Sequence, residues 1–410
     1  MKLASKASFT LHAIKDVAEV IVSNVDKLSV PDQLSIVLCN YTDVYYNRRI
    51  TKSLSFMSAT AKKEQIKRYK LKLGDVVITK DSESPTDIAV PAYVVEDIPN
   101  LVCGYHLAII RPKKELLDGR YLTEMLNLKT VRHYFFVLAN GVTRFGLGIN
   151  SIENAILSLP DVKTQRKIAD ILTTWNDAID KLDLFLVAKE RRKKALIRQL
   201  LTGTKRFPVF GKKEWKEVRM NKLLKRVFRP IEWSAEMTLS LISVRRRCGG
   251  LFRRPELLGS EYVTQDLHDL KAGDFLVSKR QVAHGAWAMV TSEFEGGHVS
   301  KEYAIFTNIA PDKLHMPFFA WLAQTPRMIY LSRVASTGVH IEKLIFDPAV
   351  FLREPIRLPS TLAEQQHIAA ILDAADQELT LLRKQRAALD QQKRGLMQRL
   401  LTGKIRVKTP

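Results

Sequence analysis

Cysteine is nearly absent from this sequence: Cys39, Cys103 and Cys248 are the only three in 410 residues. Odd in number and far apart along the chain, they support neither a disulfide framework nor a zinc knuckle, and they fit a reducing, cytoplasmic setting. No stretch approaches the roughly 18–20 uninterrupted apolar residues that span a bilayer. The opening Met1-Lys2-Leu3-Ala4-Ser5-Lys6 leads into no apolar signal core. Catalytic signatures are missing as well. There is no Gly-x-x-x-x-Gly-Lys-[Ser/Thr] phosphate loop, and Gly146-Leu147-Gly148 is too short a likeness to a dinucleotide turn to count. Neither a Gly-x-Ser-x-Gly elbow nor a His-Glu-x-x-His pair occurs. The histidines are scattered, and none pairs with cysteine or carboxylate at a metal-ligand spacing. Negative charge is the last shortage. Against 65 Lys and Arg there are 43 Asp and Glu, a formal net charge of +22. Such an excess repels itself in a compact fold unless a polyanion neutralises it, and with no membrane span or signal core that polyanion is nucleic acid.

What the chain does contain is itself, twice. Leu159-Pro160, Gln165, Ile168-Ala169-Asp170-Ile171-Leu172 and Leu200-Leu201-Thr202-Gly203 recur as Leu358-Pro359, Gln365, Ile368-Ala369-Ala370-Ile371-Leu372 and Leu400-Leu401-Thr402-Gly403. From Gln165 to Gly203 the offset is a constant 200, and at the prolines it is 199, one residue being inserted before the second helix. The repeat extends upstream. Leu71-Lys72-Leu73-Gly74-Asp75-Val76-Val77-Ile78-Thr79-Lys80 matches Leu270-Lys271-Ala272-Gly273-Asp274-Phe275-Leu276-Val277-Ser278-Lys279, each a Gly-Asp turn followed by a short buried strand. Asn140-Gly141-Val142-Thr143 parallels Thr337-Gly338-Val339-His340. Between these anchors the halves diverge, so they share a scaffold and differ in its decoration. Four blocks follow: a mixed α+β globular domain over 1–160, a long helix over 161–204, a second globular domain over 205–359, and a second long helix with a tail over 360–410. Within the domains, strands are expected at 75–79, 91–95 and 105–110 and at 274–278, 287–291 and 303–307, with one helix near 119–138 and another near 316–334.

The helices carry a 3-4 apolar seam. In the first it runs Leu172, Trp175, Ile179, Leu182, Leu186, Leu196, Leu200, broken at Lys189 and Lys193. In the second it runs Leu372, Ala375, Leu379, Leu382, Leu389, Leu396, Leu400, broken at Arg386 and Lys393. Two matching seams in one chain favour a coiled coil over two helices each lying on its own domain. Short connections on either side of the second domain predict that the helices run antiparallel, with Leu182, Leu196, Leu382 and Leu396 buried. About 37 helical residues make a rod of roughly 55 Å, comparable to some sixteen base pairs.

Basic clusters are the other signal. Lys and Arg on loops neutralise phosphates, while a few side chains read base edges. The candidates for DNA contact are Arg48, Arg49, Lys80 and Arg144 in the first domain, and Arg245, Arg246, Lys279, Arg280, His284 and His340 in the second. Lys80 and Lys279 stand out because both follow the repeated Gly-Asp strand. The run Lys189-Glu190-Arg191-Arg192-Lys193-Lys194 on the first long helix fits phosphate contact, a solvated helix face or an acidic partner equally well.

On these residues the chain resembles the specificity subunits of type I restriction-modification systems. The likeness rests on both copies of Leu-Pro followed by Gln-x-x-Ile-Ala-x-Ile-Leu, the longer form being Leu358-Pro359-Ser360-Thr361-Leu362-Ala363-Glu364-Gln365-Gln366-His367-Ile368. The two Leu-Leu-Thr-Gly helix ends, the Gly-Asp strands and Val299-Ser300-Lys301-Glu302-Tyr303-Ala304 add to it. The first copy departs from the pattern, with Thr164 where Glu364 stands. The resemblance implies an α+β fold of two similar target-recognition domains separated by two conserved helices in an antiparallel coiled coil, pseudo-twofold overall. It implies a non-catalytic subunit that reads a split, asymmetric sequence in double-stranded DNA. Its partners would be two methyltransferase subunits and restriction/translocase subunits, where S-adenosylmethionine, ATP and Mg act; the chain itself would hold no cofactor or metal. A stand-alone regulator with duplicated DNA-binding domains, and an enzyme with a dispersed site, are the competing readings of the residues.

Overall fold

The computed structural model describes residues 9–211, 214–263 and 266–408; the reading of Met1–Lys6 falls outside them. The chain divides into two compact units, one built from residues up to Asp183 together with those from Lys384 onward, the other from Leu184 to Arg383. No helix among the described residues is long and apolar enough to cross a membrane.

In the first unit the apolar run after the Gly-Asp turn forms the strand Val76–Thr79, all four residues buried. It is the centre of a five-stranded sheet, ordered Ala18–Val22, Leu107–Pro112, Val76–Thr79, Pro91–Val94, Arg49–Ile50. A strand covered on both faces needs apolar residues at every position, and here the two faces feed different cores. Val76 and Ile78 pack with Tyr121, Leu122 and the long-helix residues Ile168, Ala169 and Leu172. Val77 packs toward a second, three-stranded sheet of Met57–Ala61, Leu34–Cys39 and Leu101–Cys103. In that sheet Cys39 and Cys103, remote in sequence, are cross-strand neighbours, and both remain free thiols. Burial pushes both thiols well above their ordinary value, which keeps them unreactive.

The second unit repeats the plan around Phe275–Ser278, inside a four-stranded antiparallel sheet with Leu224–Val227, Tyr303–Asn308 and Trp287–Met289. In both units a strand pair leads into a long helix: Thr10–Ala13 with Ile156–Leu159, and Lys216–Arg219 with Pro355–Leu358.

The two expected mid-domain helices are each broken in two. Gly119–Leu126 and Lys129–Leu138 flank Leu128, which turns extended and into the core, while Asn127 Nδ2 donates to the Thr123 carbonyl at 2.9 Å. Met316–Leu322 and Pro326–Val334 are separated because Pro326 forces Thr325 out of the helical region.

The long helices span Val162–Leu201 and Leu362–Leu401. The start of one meets the end of the other in each unit. Leu400 and Leu401 share a core with Ile168 and Leu172 in the first unit, and Leu200 and Leu201 share one with Ile368 and Leu372 in the second. Numbers rise on one helix as they fall on the other across the ion pairs. Arg386 reaches Asp183 at 3.0 Å in the first unit. In the second, Arg383 reaches Glu190 at 2.6 Å and Lys189 reaches Glu378 at 2.5 Å, while Lys193 pairs with Asp376. Pairing within each unit is antiparallel, and Lys189, Lys193 and Arg386, which interrupt the apolar seam, bridge the helices.

Burial along the seam differs from expectation. Leu172, Ile179, Leu200, Leu372, Leu379 and Leu400 are buried, but Leu182, Leu196, Leu382 and Leu396 are only half-buried. The buried set lies where a globular core closes over the helix pair. Farther along, two helices alone leave the flanks of each leucine open to water.

The signature glutamines explain the docking of helix to domain. Gln165 Nε2 donates to the carbonyls of Leu116 and Pro160, at 3.0 and 2.9 Å, and its Oε1 accepts from Asp118 N at 3.0 Å. Gln365 makes the same set with Lys313, Pro359 and His315 N, at 2.8, 3.5 and 2.9 Å. Both are buried, and one side chain ties the Leu-Pro corner, the domain and the helix together. Where the first copy has Thr164, Asp161 caps the helix by accepting Thr164 N–H at 3.0 Å, and Thr164 Oγ1 donates to its other oxygen at 2.7 Å. In the second copy the buried Glu364 instead accepts a fork from Arg206, at 2.9 and 2.7 Å, and lies 3.3 Å from Trp215 Nε1.

Candidate nucleic-acid interface

The repeated Gly-Asp turn is built before anything reaches the surface. Asp75 and Asp274 are both buried. Each carboxylate accepts the backbone N–H three residues earlier, Lys72 at 2.8 Å and Lys271 at 2.9 Å. Each also accepts a bidentate arginine: Arg111 at 2.8 Å on both oxygens, Arg229 at 2.6 and 2.9 Å. The planar fork matches the carboxylate and cancels its charge in place. Gly74 and Gly273, at φ +99° and +88°, take the turn that a side chain would strain.

Strand and turn fixed in this way deliver Lys80 and Lys279 to equivalent places. Each lysine carbonyl accepts a backbone hydrogen bond from the far side of a glycine-containing loop: Leu147 N to Lys80 O, and Phe346 N to Lys279 O, both at 3.0 Å. The three repeated anchors of the sequence, the Gly-Asp strand, the lysine and the Gly-Val loop, therefore converge at one corner of each unit.

The candidate residues sort themselves around that corner. Lys80 is largely buried and paired with Asp81 at 2.7 Å, and Asp81 also meets His106 at 3.2 Å. Arg144 is exposed on the Gly-Val loop, without a side-chain partner among the described residues. In the second unit Arg280 pairs with Glu302 at 2.5 Å. Lys279 is half-buried with no ion pair among the described residues, and burial, then Arg226, hold its ammonium below the ordinary lysine value. Arg246 reaches Glu342 at 3.1 Å. His284 Nε2 lies 3.0 Å from Glu342 but out of line for a hydrogen bond. His340 Nδ1 accepts from Glu342 N at 3.3 Å. Arg245 donates to the Leu251 carbonyl at 2.7 Å and covers the Phe252 ring at 4.6 Å. The tip it opens is strained, with Arg247 and Cys248 both at positive φ, 58° and 54°. Backbone bonds from Arg247 N to His284 O and Cys248 N to Gly285 O, at 2.7 and 2.8 Å, hold it there. Arg245, Arg246, His284 and His340 thus meet on one basic surface, with Lys279 and Arg280 on the strand end beside it.

Arg48 and Arg49 are elsewhere. Arg48 donates to Asn176 at 2.8 Å and Arg49 pairs with Asp177 at 2.5 Å, so both are spent on the first long helix. They line a cavity of about 750 Å³ with Tyr93, Glu124 and Lys393. The Lys393 ammonium, 3.2 Å from Glu124, is itself held below the ordinary lysine value by burial. The seam spacing marked Lys393 only as an interruption; its carboxylate partner lies on a different element, which spacing cannot show. Glu342, the residue that gathers Arg246, His284 and His340, carried no sequence signal either. In the run Lys189–Lys194, Lys189 and Lys193 face the partner helix while Arg191, Arg192 and Lys194 stay exposed. No group of three or more His, Cys, Asp or Glu among the described residues is placed to hold a metal ion.

Residues 9–183 match the family model described as the type I restriction modification DNA specificity domain. A type I restriction enzyme specificity subunit of Methanocaldococcus jannaschii is 22% identical, over 97% of this chain and 94% of that protein. Among solved structures, the S subunit of a type I restriction-modification system from M. genitalium matches with a TM-score of 0.59 at 11% identity, covering 100% of this chain and 99% of its own. A chain from a structure on complex assembly and conformational transition of the type I restriction-modification system matches at 0.56 and 14% identity, covering 98% and 99%. At such identities the structural likeness speaks for the fold.

Proposed function

We propose that the chain is a specificity subunit of a type I restriction-modification system, the family that residues 9–183 match and that its full-length relative belongs to, and that its two globular domains, within 1–160 and 205–359, each read one half of a split target in double-stranded DNA. The observation that carries this reading is the repeated corner. Both units hold a lysine and a glycine-hinged loop on the same buried Gly-Asp turn, yet the side chains displayed around it differ, as two readers of different half-sites require. Lys279, Arg144 and the Arg245–His284 surface supply phosphate and base contacts, with Glu302 and Glu342 orienting the cations. Lys80 supports its loop rather than reaching out.

The subunit is the recognition component, and the methyl transfer and DNA cleavage belong to partners. Two methyltransferase subunits dock on the long helices, where Leu184, Phe185, Val187 and Leu381 leave apolar surface exposed. The restriction/translocase subunits complete the assembly, and S-adenosylmethionine, ATP and Mg act in those partners. A stand-alone regulator is less suited to that exposed apolar surface, which has no use without a partner.

Exchanging residues 205–359 for the equivalent domain of a relative tests the reading, with the product mapped by methylation-site sequencing. One half of the target is expected to change and the other to persist. Alteration of both halves would end the two-reader model.

A further inference from the structure

Each unit presents one apolar side chain to solvent at the same point of the repeat. Val142 is 92% exposed and Val339 fully so, at 104%. Both sit at the tip of a short loop opened by a glycine at φ +146°, Gly141 and Gly338. A side chain at either glycine would strike the backbone, at 1.8 Å from the Arg144 carbonyl oxygen and 2.8 Å from that of Lys343. The loops are closed by Asn140 and Gly146 exchanging backbone bonds at 3.1 and 2.9 Å, and by pairing of Ser336–Thr337 with Ile345–Phe346. They are stapled to the Lys80 and Lys279 carbonyls as described above. Each tip also carries an exposed cation with no side-chain partner among the described residues, Arg144 in one and Lys343 in the other.

We propose that the two Gly-Val tips are sequence-independent clamps on the DNA duplex, the valine packing against deoxyribose and groove edge while the neighbouring cation meets a phosphate. The inference rests on the half-site reading above. If the domains read different sequences, a base-reading residue must differ between them, yet glycine, valine, dihedral angle and staple are the same in both. The shared tip therefore meets a feature that the duplex offers identically at both places, and its backbone is that feature. A valine left wholly in water gains by burial on contact, and an adjacent unpaired cation makes a polyanion the fitting surface.

The test uses the full complex with its methyltransferase subunits and compares Val142→Asp, Val339→Asp and the double variant with the parent. The probes are the methylation-mapped duplex and a duplex of equal length with both half-sites scrambled. Each single change is expected to weaken binding roughly tenfold on both duplexes by the same factor, with the effects combining in the double variant and subunit stoichiometry unchanged by ultracentrifugation. Loss of methyltransferase subunits would show that the tips dock protein instead. A change of preference at one half-site would make them base readers, and unchanged affinity would remove the contact; each of these overturns the proposal. A parent complex with no preference for the mapped duplex would sink the half-site reading itself, while the tips would still be scored on the scrambled one.

Discussion

Lys279 carries its charge at a disadvantage. Burial and the nearby Arg226 both favour the neutral amine, against the weaker pull of Glu302. A docked phosphate would reverse this balance and return the proton, so binding should take up protons in alkaline solution. The sign follows. Below the lowered pKa the ammonium is present and affinity is full; as pH rises through it, affinity falls earlier than an ordinary lysine would allow. In DNA-binding titrations between about pH 8 and 10, the parent should weaken with pH while Lys279→Arg, whose guanidinium stays charged, should hold level. Equal slopes for the two would exclude Lys279 from a phosphate contact. The sequence sets Asp81 directly after Lys80 and Arg280 directly after Lys279. What the fold adds is that the Lys80–Asp81 pair closes at 2.7 Å and that Lys279 is half-buried with no such partner among the described residues.

At the scale of elements, the long helices combine two kinds of stretch. Where a domain core closes over them, as at Leu372, an apolar seam is buried like a core. Where two helices stand alone, as at Leu382, the seam is half open and ion pairs share the work. The same substitution should therefore have unequal effects. Leu372→Ala should cost about 3 kcal/mol and Leu382→Ala about 1 kcal/mol, measured by urea unfolding of the isolated chain. Equal costs would mean that the middle of the pair is as well covered as its ends. The broken mid-domain helices belong to this scale too. Pro326 is a legible helix breaker, whereas Leu128 looks like any apolar helix position, and its inward turn is decided by the core that receives it.

For the whole molecule, the charge of +22 is a standing repulsion that a bound duplex relieves. DNA at a hundred times its dissociation constant should stabilise the fold by about 2.7 kcal/mol. That should appear as a raised Tm in low salt that subsides as salt rises. A salt-independent shift, or none, would argue against phosphate contacts as the main source of affinity. The charge is far from uniform in its use. Arg48 and Arg49 hold a helix, Arg111 and Arg229 neutralise buried aspartates, and Lys189 and Lys193 bridge helices. These cations are structural and their charge is cancelled or spent in place, so the net excess available to DNA resides in the other lysines and arginines.

The repeat, the antiparallel helix pair, the buried Gly-Asp strands and the basic character were all determined by sequence alone, because each is written in local spacing: a constant offset, a 3-4 seam, an apolar run after a turn. The tertiary structure decided which cations are free. Arg246 meets Glu342 across 96 residues, and Arg48 meets Asn176 across 128; no periodicity encodes such partners. It also decided that Cys39 and Cys103 stand side by side and that the central seam leucines remain half in water. A spacing states which face a residue occupies on its own element, but what covers that face depends on elements folded from elsewhere in the chain.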